Sequence, residues 1–258
     1  MSEFHMLASA PVPGGSVKMM ETRVAATLPL RSGRASPADD AGGSSGSDSP
    51  RGRKRRRRRD PEPPAEPPRL VARLALRHQS RSAIRDVGLQ LWRGGLLCGD
   101  FALSHRGRFE GRRVLELGAG TGLTTMALAA SGARVLATDR CTCRKDARAA
   151  GAACHGHDCV LGNLQQNLAR PGNVAAVEAM ARWSGGRAGT AEVAELDWVA
   201  GCGDAIACRE FDWVVAADCA YQDDLTSAWV RVAKGVARRA RERCGAALVT
   251  QPRRCVFL

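Results

Sequence analysis

From residue 69 onward, apolar residues recur in short runs with helical or alternating spacing. Leu70-Val-Ala-Arg-Leu-Ala-Leu-Arg77 alternates and predicts a short strand, half of a hairpin ahead of the main domain. Leu97, Phe101 and Leu103 fall at helical spacing between Leu96 and His105. A strand ending at Leu117, a helix to about Ala130 and a strand over 134–138 follow. Leu161 to Leu168 predicts another helix, and a weaker strand is expected near Val193-Ala-Glu-Leu196. Phe211-Asp-Trp-Val-Val-Ala-Ala217 is an apolar run of the kind that buried parallel strands show. Leu225 to Arg243 then predicts a long helix, and Ala246-Ala-Leu-Val-Thr250 a fifth strand. Strands alternating with helices imply an α/β fold with a parallel sheet, whose ligands bind at the strands' carboxyl ends.

The junction of the first strand and its helix carries the strongest chemical signal. Val114-Leu-Glu-Leu-Gly-Ala-Gly-Thr-Gly122 closes an apolar run on Gly118, Gly120 and Gly122. Glycines there let the backbone turn with positive φ and approach a ligand closely, beside the free N–H groups of a helix start. A dinucleotide fingerprint, G-x-G-x-x-G, needs glycine at position 123, where this chain has leucine. Glu116 precedes the turn within the strand, and Asp139 ends the next strand seventeen residues beyond Gly122. A carboxylate at that place can accept both ribose hydroxyls of a nucleoside.

This combination resembles the S-adenosylmethionine site of seven-strand methyltransferases, with Glu116 near the methionine end and Asp139 on the ribose. Three further elements narrow the resemblance: Gly88-Leu-Gln-Leu-Trp92, Glu195-Leu-Asp-Trp198 and Asp218-Cys-Ala-Tyr221. Together they resemble the protein-lysine methyltransferases of methyltransferase family 16, over roughly residues 86–258. The resemblance implies a Rossmann-like seven-strand sheet and S-adenosylmethionine as cofactor. It places Trp92 beside the adenosine, Asp197 or Trp198 at the adenine and Ala217 in the cofactor wall. Gly118 and Gly120 would cradle the cofactor. Asp218 would face the methyl-transfer channel and hold the lysine head, with Tyr221 restricting its rotation. Base-methylating enzymes resemble one another in an Asn/Asp-Pro-Pro-Tyr element here, and Asp218-Cys-Ala-Tyr221 lacks the prolines. Each assignment has a plainer alternative: Trp92 and Trp198 as core aromatics, Asp218 as the N-cap of the following helix, Tyr221 as a packing residue.

Composition changes the picture in the first third. Residues 1–68 are rich in Pro, Gly, Ser and Arg, and are expected to be disordered, because such a segment buries too little to offset its ordering entropy. The remaining residues, 69–258, are expected to form one methyltransferase domain. The net charge of +13 is concentrated: residues 51–59 carry eight cations, leaving +5 elsewhere. This tract, followed by the Pro-rich spacer 61–68, reads as an import signal engaging a nuclear import receptor, or as a non-specific polyanion contact. A nuclear, or nuclear and cytoplasmic, location is expected, with no membrane-spanning run and with a protein lysine as substrate. A binding module for nucleic acid or protein that has lost catalysis is the rival reading.

Two features depart from the family pattern. Arg140 to Val160 is longer than the expected short turn and brings Cys141, Cys143, Cys154, His155, His157 and Cys159. Their spacings fit no common zinc module, so no metal is expected. The chain also ends eight residues after Thr250, so the sheet is expected to be cut off after its fifth strand, without the antiparallel pair of the family.

Overall fold

The computed structural model describes residues 3–12, 19–29, 69–143, 159–201, 206, 208–240, 246–251 and 254–257. The basic tract 51–59 and the spacer 61–68 lie outside these residues, as do Cys154, His155 and His157. Two sheets organise the chain. The first is a three-stranded antiparallel sheet, β1 (Glu3–Pro11), β2 (Met19–Pro29) and β3 (Arg69–Gln79), in that order. The second is six-stranded: β4 (Arg113–Leu117), β5 (Arg134–Asp139), β6 (Thr190–Glu195), β7 (Trp213–Ala217), β8 (Ala246–Gln251) and β9 (Arg254–Phe257), arranged β6-β5-β4-β7-β8-β9. Its first five strands pair in parallel, and β9 returns antiparallel against β8. Neighbours β5 and β7 flank β4, so strand order reverses there, as at the ligand crevice of open α/β sheets.

The helices among the described residues are α1 (Arg93–Ser104), α2 (Arg106–Phe109), α3 (Leu123–Ala130), α4 (Val160–Ala169), α5 (Pro171–Trp183) and α6 (Asp223–Ala240). A 3₁₀ turn, Ile84–Leu89, leads into α1. All eight residues of α3 are buried, matching its nearly continuous apolar sequence. Pro171 starts α5 at a position where the missing N–H costs nothing.

Two expectations are corrected. Residues 3–11 and 19–29 are strands rather than part of a disordered tail. The entropy argument treated the segment as if alone, whereas β2 pairs with β3 along its whole length, Met19 to Pro29 against Gln79 to Arg69. Val24, Ala26, Leu28, Leu74 and Leu76 join one core with Leu103, Leu123 and Met126. The strand expected at 70–77 exists and pairs antiparallel, but with β2 from far upstream rather than with a neighbour in a hairpin. Nor is the large sheet cut off after five strands, since Arg254–Phe257 adds a sixth. β9 is only four residues long, too brief for periodicity to register.

Side chains lock the small sheet to the domain. Ala75 N–H donates to Asn173 Oδ1 at 2.7 Å and Arg77 N–H to Asn167 Oδ1 at 2.9 Å. Both amides donate in return, Asn173 to Ala75 O at 3.1 Å and Asn167 to Arg77 O at 3.0 Å. The backbone of β3 thus finds on α4 and α5 the pairing that another strand would give.

Candidate active site

The glycine turn begins where β4 leaves the sheet. Gly118, Gly120 and Gly122 have φ of 70°, 54° and 86°, the left-handed region that side chains rarely adopt. Space is equally restrictive. A Cβ on Gly118 would stand 2.8 Å from Cys219 Sγ and 3.1 Å from the Trp198 ring. One on Gly120 would stand 3.0 Å from the carbonyl oxygen of Gly88. The turn is therefore packed under the 3₁₀ segment on one side and against the strands on the other.

A cleft of about 420 Å³ opens over this turn. Gly118, Gly120, Asp139, Trp92, Trp198, Ala217, Asp218 and Tyr221 border it. Two smaller recesses adjoin it, one reaching Asp197 beside Arg140 and Tyr221, the other Glu116 beside Trp92 and Thr124. The fold thus brings together all ten residues singled out from the sequence, contributed by the ends of β4, β5, β6 and β7 and by the segment before α1.

Asp139 is already engaged. Its Oδ2 accepts the Gly120 N–H at 2.8 Å and its Oδ1 the Arg140 N–H at 2.8 Å. Burial nevertheless pushes its pKa up to about 6, against the lowering effect of those two bonds. Each carboxylate oxygen keeps acceptor capacity beyond the one bond described. Glu116 is 2% exposed, and burial raises its pKa to about 7 although Thr125 Oγ1 donates to it at 2.6 Å.

Asp218 is the one non-glycine residue with positive φ among the described residues, at 56°. Aspartate tolerates this region better than most side chains. Its Oδ2 accepts the Gly94 N–H at 2.6 Å, in the first turn of α1. Gly94 makes the contact possible, because a Cβ there would fall 2.6 Å from the carboxylate. Asp218 thus supplies a first-turn acceptor to α1, whose own N-cap residue is Trp92. Its other oxygen, Oδ1, is buried with no hydrogen-bond partner among the described residues. Burial raises its pKa, opposed by the Gly94 bond.

Trp198 Nε1 is likewise buried and has no partner among the described residues, and Trp198 both borders the cleft and packs against the core cluster that includes Leu117 and Cys219. Trp92 is 44% exposed and borders the cleft, with Nε1 donating to Val87 O at 3.0 Å. Tyr221 is 44% exposed as well, and burial of the remainder raises its hydroxyl pKa. Asp197 Oδ1 accepts the Val199 N–H at 2.9 Å, a local turn that fixes the strand exit.

Two cleft residues, and a glycine that packs against Asp218, escaped the sequence reading. Cys219 is buried, its Sγ donating to Leu117 O at 3.1 Å, and burial drives its thiol pKa far up, so it acts as a small apolar wall. Gly88 lies over the turn, where a Cβ would meet Val160 Cγ1 at 2.7 Å and Asp139 Oδ2 at 3.3 Å. Gly94 makes room for Asp218. The two glycines were visible in the sequence but carried no spacing signal, since their partners are remote along the chain.

A family profile described as lysine methyltransferase, methyltransferase 16, matches residues 73–148, which include the glycine turn and Asp139. The chain is 31% identical over 196 residues, 70% of its length, to methyltransferase-like protein 22 of Mus musculus, and equally to that of Homo sapiens. It spans about two-fifths of the length of these curated relatives, 43% and 42%. Among solved structures, a T. thermophilus 16S rRNA N2 G1207 methyltransferase in complex with AdoMet and guanosine aligns with TM-score 0.42 and 21% identity, over 70% of this chain and 40% of that one. A glycopeptide N-methyltransferase complexed with S-adenosyl-L-methionine aligns with TM-score 0.34 and 20% identity, over 58% and 48%. The fold itself rests on the strand order described above. By profile and by relatives, the chain is similar to the lysine methyltransferases of the methyltransferase 16 family.

Proposed function

We propose that the cleft binds S-adenosylmethionine and that the chain is a protein-lysine N-methyltransferase. The observation that carries this reading is the convergence of the glycine turn, Asp139, Trp198 and Asp218 on one cleft at the switch point of the sheet. The residues fit the group. The turn leaves space that any Cβ would fill, Asp139 retains acceptor capacity for ribose hydroxyls, and Trp198 offers a buried N–H and a ring face. When bound, the cofactor supplies an electrophilic methyl group on a sulfonium.

The chain's own residues must then deliver a neutral amine. A free lysine has pKa near 10.4 and is mostly protonated at neutral pH. In this reading Asp218 Oδ1 accepts a hydrogen bond from the amine and fixes its direction, supported by its lack of another partner among the described residues, while Oδ2 stays anchored to Gly94. Tyr221 walls the mouth, where partial exclusion of water favours the uncharged amine. The work of this site is orientation and desolvation, a reading supported by the half-burial of Asp218.

Asp218→Asn is the direct test. Asparagine keeps an oxygen for the Gly94 N–H, so cofactor affinity by calorimetry should change less than threefold, while methyl transfer to lysine-containing protein should slow at least tenfold in turnover. Loss of cofactor binding with normal turnover per bound complex would assign Asp218 to the cofactor shell instead. Failure of the wild-type chain to bind S-adenosylmethionine at all would favour the binding-module reading.

The proposed location is the nucleus, with the tract 51–59 recognised by an import receptor. Deleting 51–59 should move a fluorescent fusion to the cytoplasm without shifting the thermal transition. Continued nuclear accumulation would refute the address.

A further inference from the structure

Behind Asp139, outside the residues assigned to the cleft chemistry, three cysteines converge. Cys141 and Cys143 follow Asp139 off the end of β5, and Cys159 is the N-cap residue of α4. Their sulfurs all lie within 4.8 Å of one another, and Cys141 Sγ and Cys159 Sγ are 3.7 Å apart. Two thiolates each ~2.3 Å from one tetrahedral ion stand about 3.8 Å apart, so this spacing is that of ligands sharing a zinc ion. A disulfide would require about 2.05 Å. Cys159 is 2% exposed and the other two are half-buried, an environment that shields the sulfurs yet leaves an entry path.

The arrangement is held by more than the sulfurs. Thr142, between two of the cysteines, accepts the Val160 N–H through its Oγ1 at 3.2 Å, clamping the strand exit to the first turn of α4. Negative sulfur at a helix start is also favoured by the helix dipole. The C-x-C spacing matches no common zinc module because the third ligand arrives sixteen residues later, delivered by the fold.

We propose that Cys141, Cys143 and Cys159 form a structural zinc site, a three-thiolate cluster whose fourth position is filled by water or another donor. Binding replaces three thiol protons with one Zn²⁺, so three protons are released to solvent and no oxidant is involved. The ion ties the end of β5 to the start of α4. Asp139 and Val160, which border the recess beside the cleft, each lie within two residues of a ligand and are held in place by it.

The test uses the full 258-residue chain, purified reduced and without chelator. On denaturation it should release one equivalent of zinc to a colorimetric chelator. The stripped chain should take up Co²⁺ with the thiolate charge-transfer absorption of a sulfur-rich tetrahedral site. Loading zinc should slow alkylation of these three cysteines at least tenfold, read peptide by peptide by mass spectrometry; this measurement needs no variant. The triple variant Cys141→Ser, Cys143→Ser, Cys159→Ser should hold less than a tenth of an equivalent. Absence of a thiolate–cobalt band overturns the proposal, as does equal alkylation with and without zinc. So does a triple variant that retains full zinc, or a Cys141–Cys159 disulfide in the zinc-saturated chain.

Discussion

The small N-terminal sheet and the cleft put their buried polar side chains to different uses. In the small sheet, buried Thr22 is bonded to Ser9 at 2.5 Å and to His78 at 2.7 Å, and Asn167 and Asn173 serve the backbone of β3. The cleft instead keeps Asp218 Oδ1 and Trp198 Nε1 buried without partners among the described residues, and holds three carboxyls whose pKa is raised by burial. It also holds a non-glycine residue at positive φ. Buried polar groups left unmatched cost stability, and they persist where the surroundings over-determine them. The small sheet stabilises; the cleft spends some of that stability to keep donors and acceptors ready for a ligand. Asn167 joins the two regions, since its amide also donates to Thr121 O in the glycine turn at 3.0 Å.

This division can be broken first on the stabilising side. Leu74 is fully buried on β3, and Leu74→Ala should cost about 2–5 kcal/mol by denaturant unfolding. The folded fraction should still bind S-adenosylmethionine with unchanged affinity. A cost below ~1 kcal/mol would mean that the three-stranded sheet does not share the core, contrary to the packing described.

A somewhat smaller effect should come from Glu116. Its pKa is raised from 4.5 to about 7, so the folded state holds a proton that the unfolded state has already lost in this window. Stability contributed by the neutral form is present at low pH and is lost as pH rises, by about 3 kcal/mol between pH 4.5 and 7. Glu116→Gln should remove that part of the slope, measured as the difference in unfolding free energy between wild type and variant across this range. Parallel wild-type and variant curves would show that Glu116 titrates normally.

Asp139→Ala sharpens the ligand side. Removing the carboxylate strips both the Gly120 and Arg140 N–H groups of their acceptor and deletes the proposed ribose contact. Such losses are each worth about 1–3 kcal/mol, so cofactor affinity should fall at least tenfold by calorimetry while the chain stays folded. Unchanged affinity in a folded variant would remove Asp139 from the binding site.

Much of the large sheet was legible from residue order. The apolar runs 113–117, 134–139 and 213–217 and the buried helix at 123–130 appear close to their expected limits, because burial on both faces leaves a continuous hydrophobic signal. The helix Pro171–Trp183 was missed, since its buried face consists of Asn173, Ala176, Met180 and Ala181, too weakly apolar to stand out. β2 was missed for a different reason. Its alternation lies within a stretch whose average composition is that of a disordered chain, and its partner β3 is separated from it by 39 residues.

By itself the sequence determined the parallel α/β core, the glycine turn and the set of acids and aromatics at strand ends, because local periodicity and the freedom of glycine are encoded within a few neighbouring residues. Only the tertiary structure decided that Asp218 supplies a first-turn acceptor to α1 through Gly94, 124 residues away along the chain. It alone decided that Cys159 meets Cys141 and Cys143, and that residues 3–11 and 19–29 have a core to join. Contacts between distant residues depend on how the layers pack, and packing leaves no periodic trace in the order of residues.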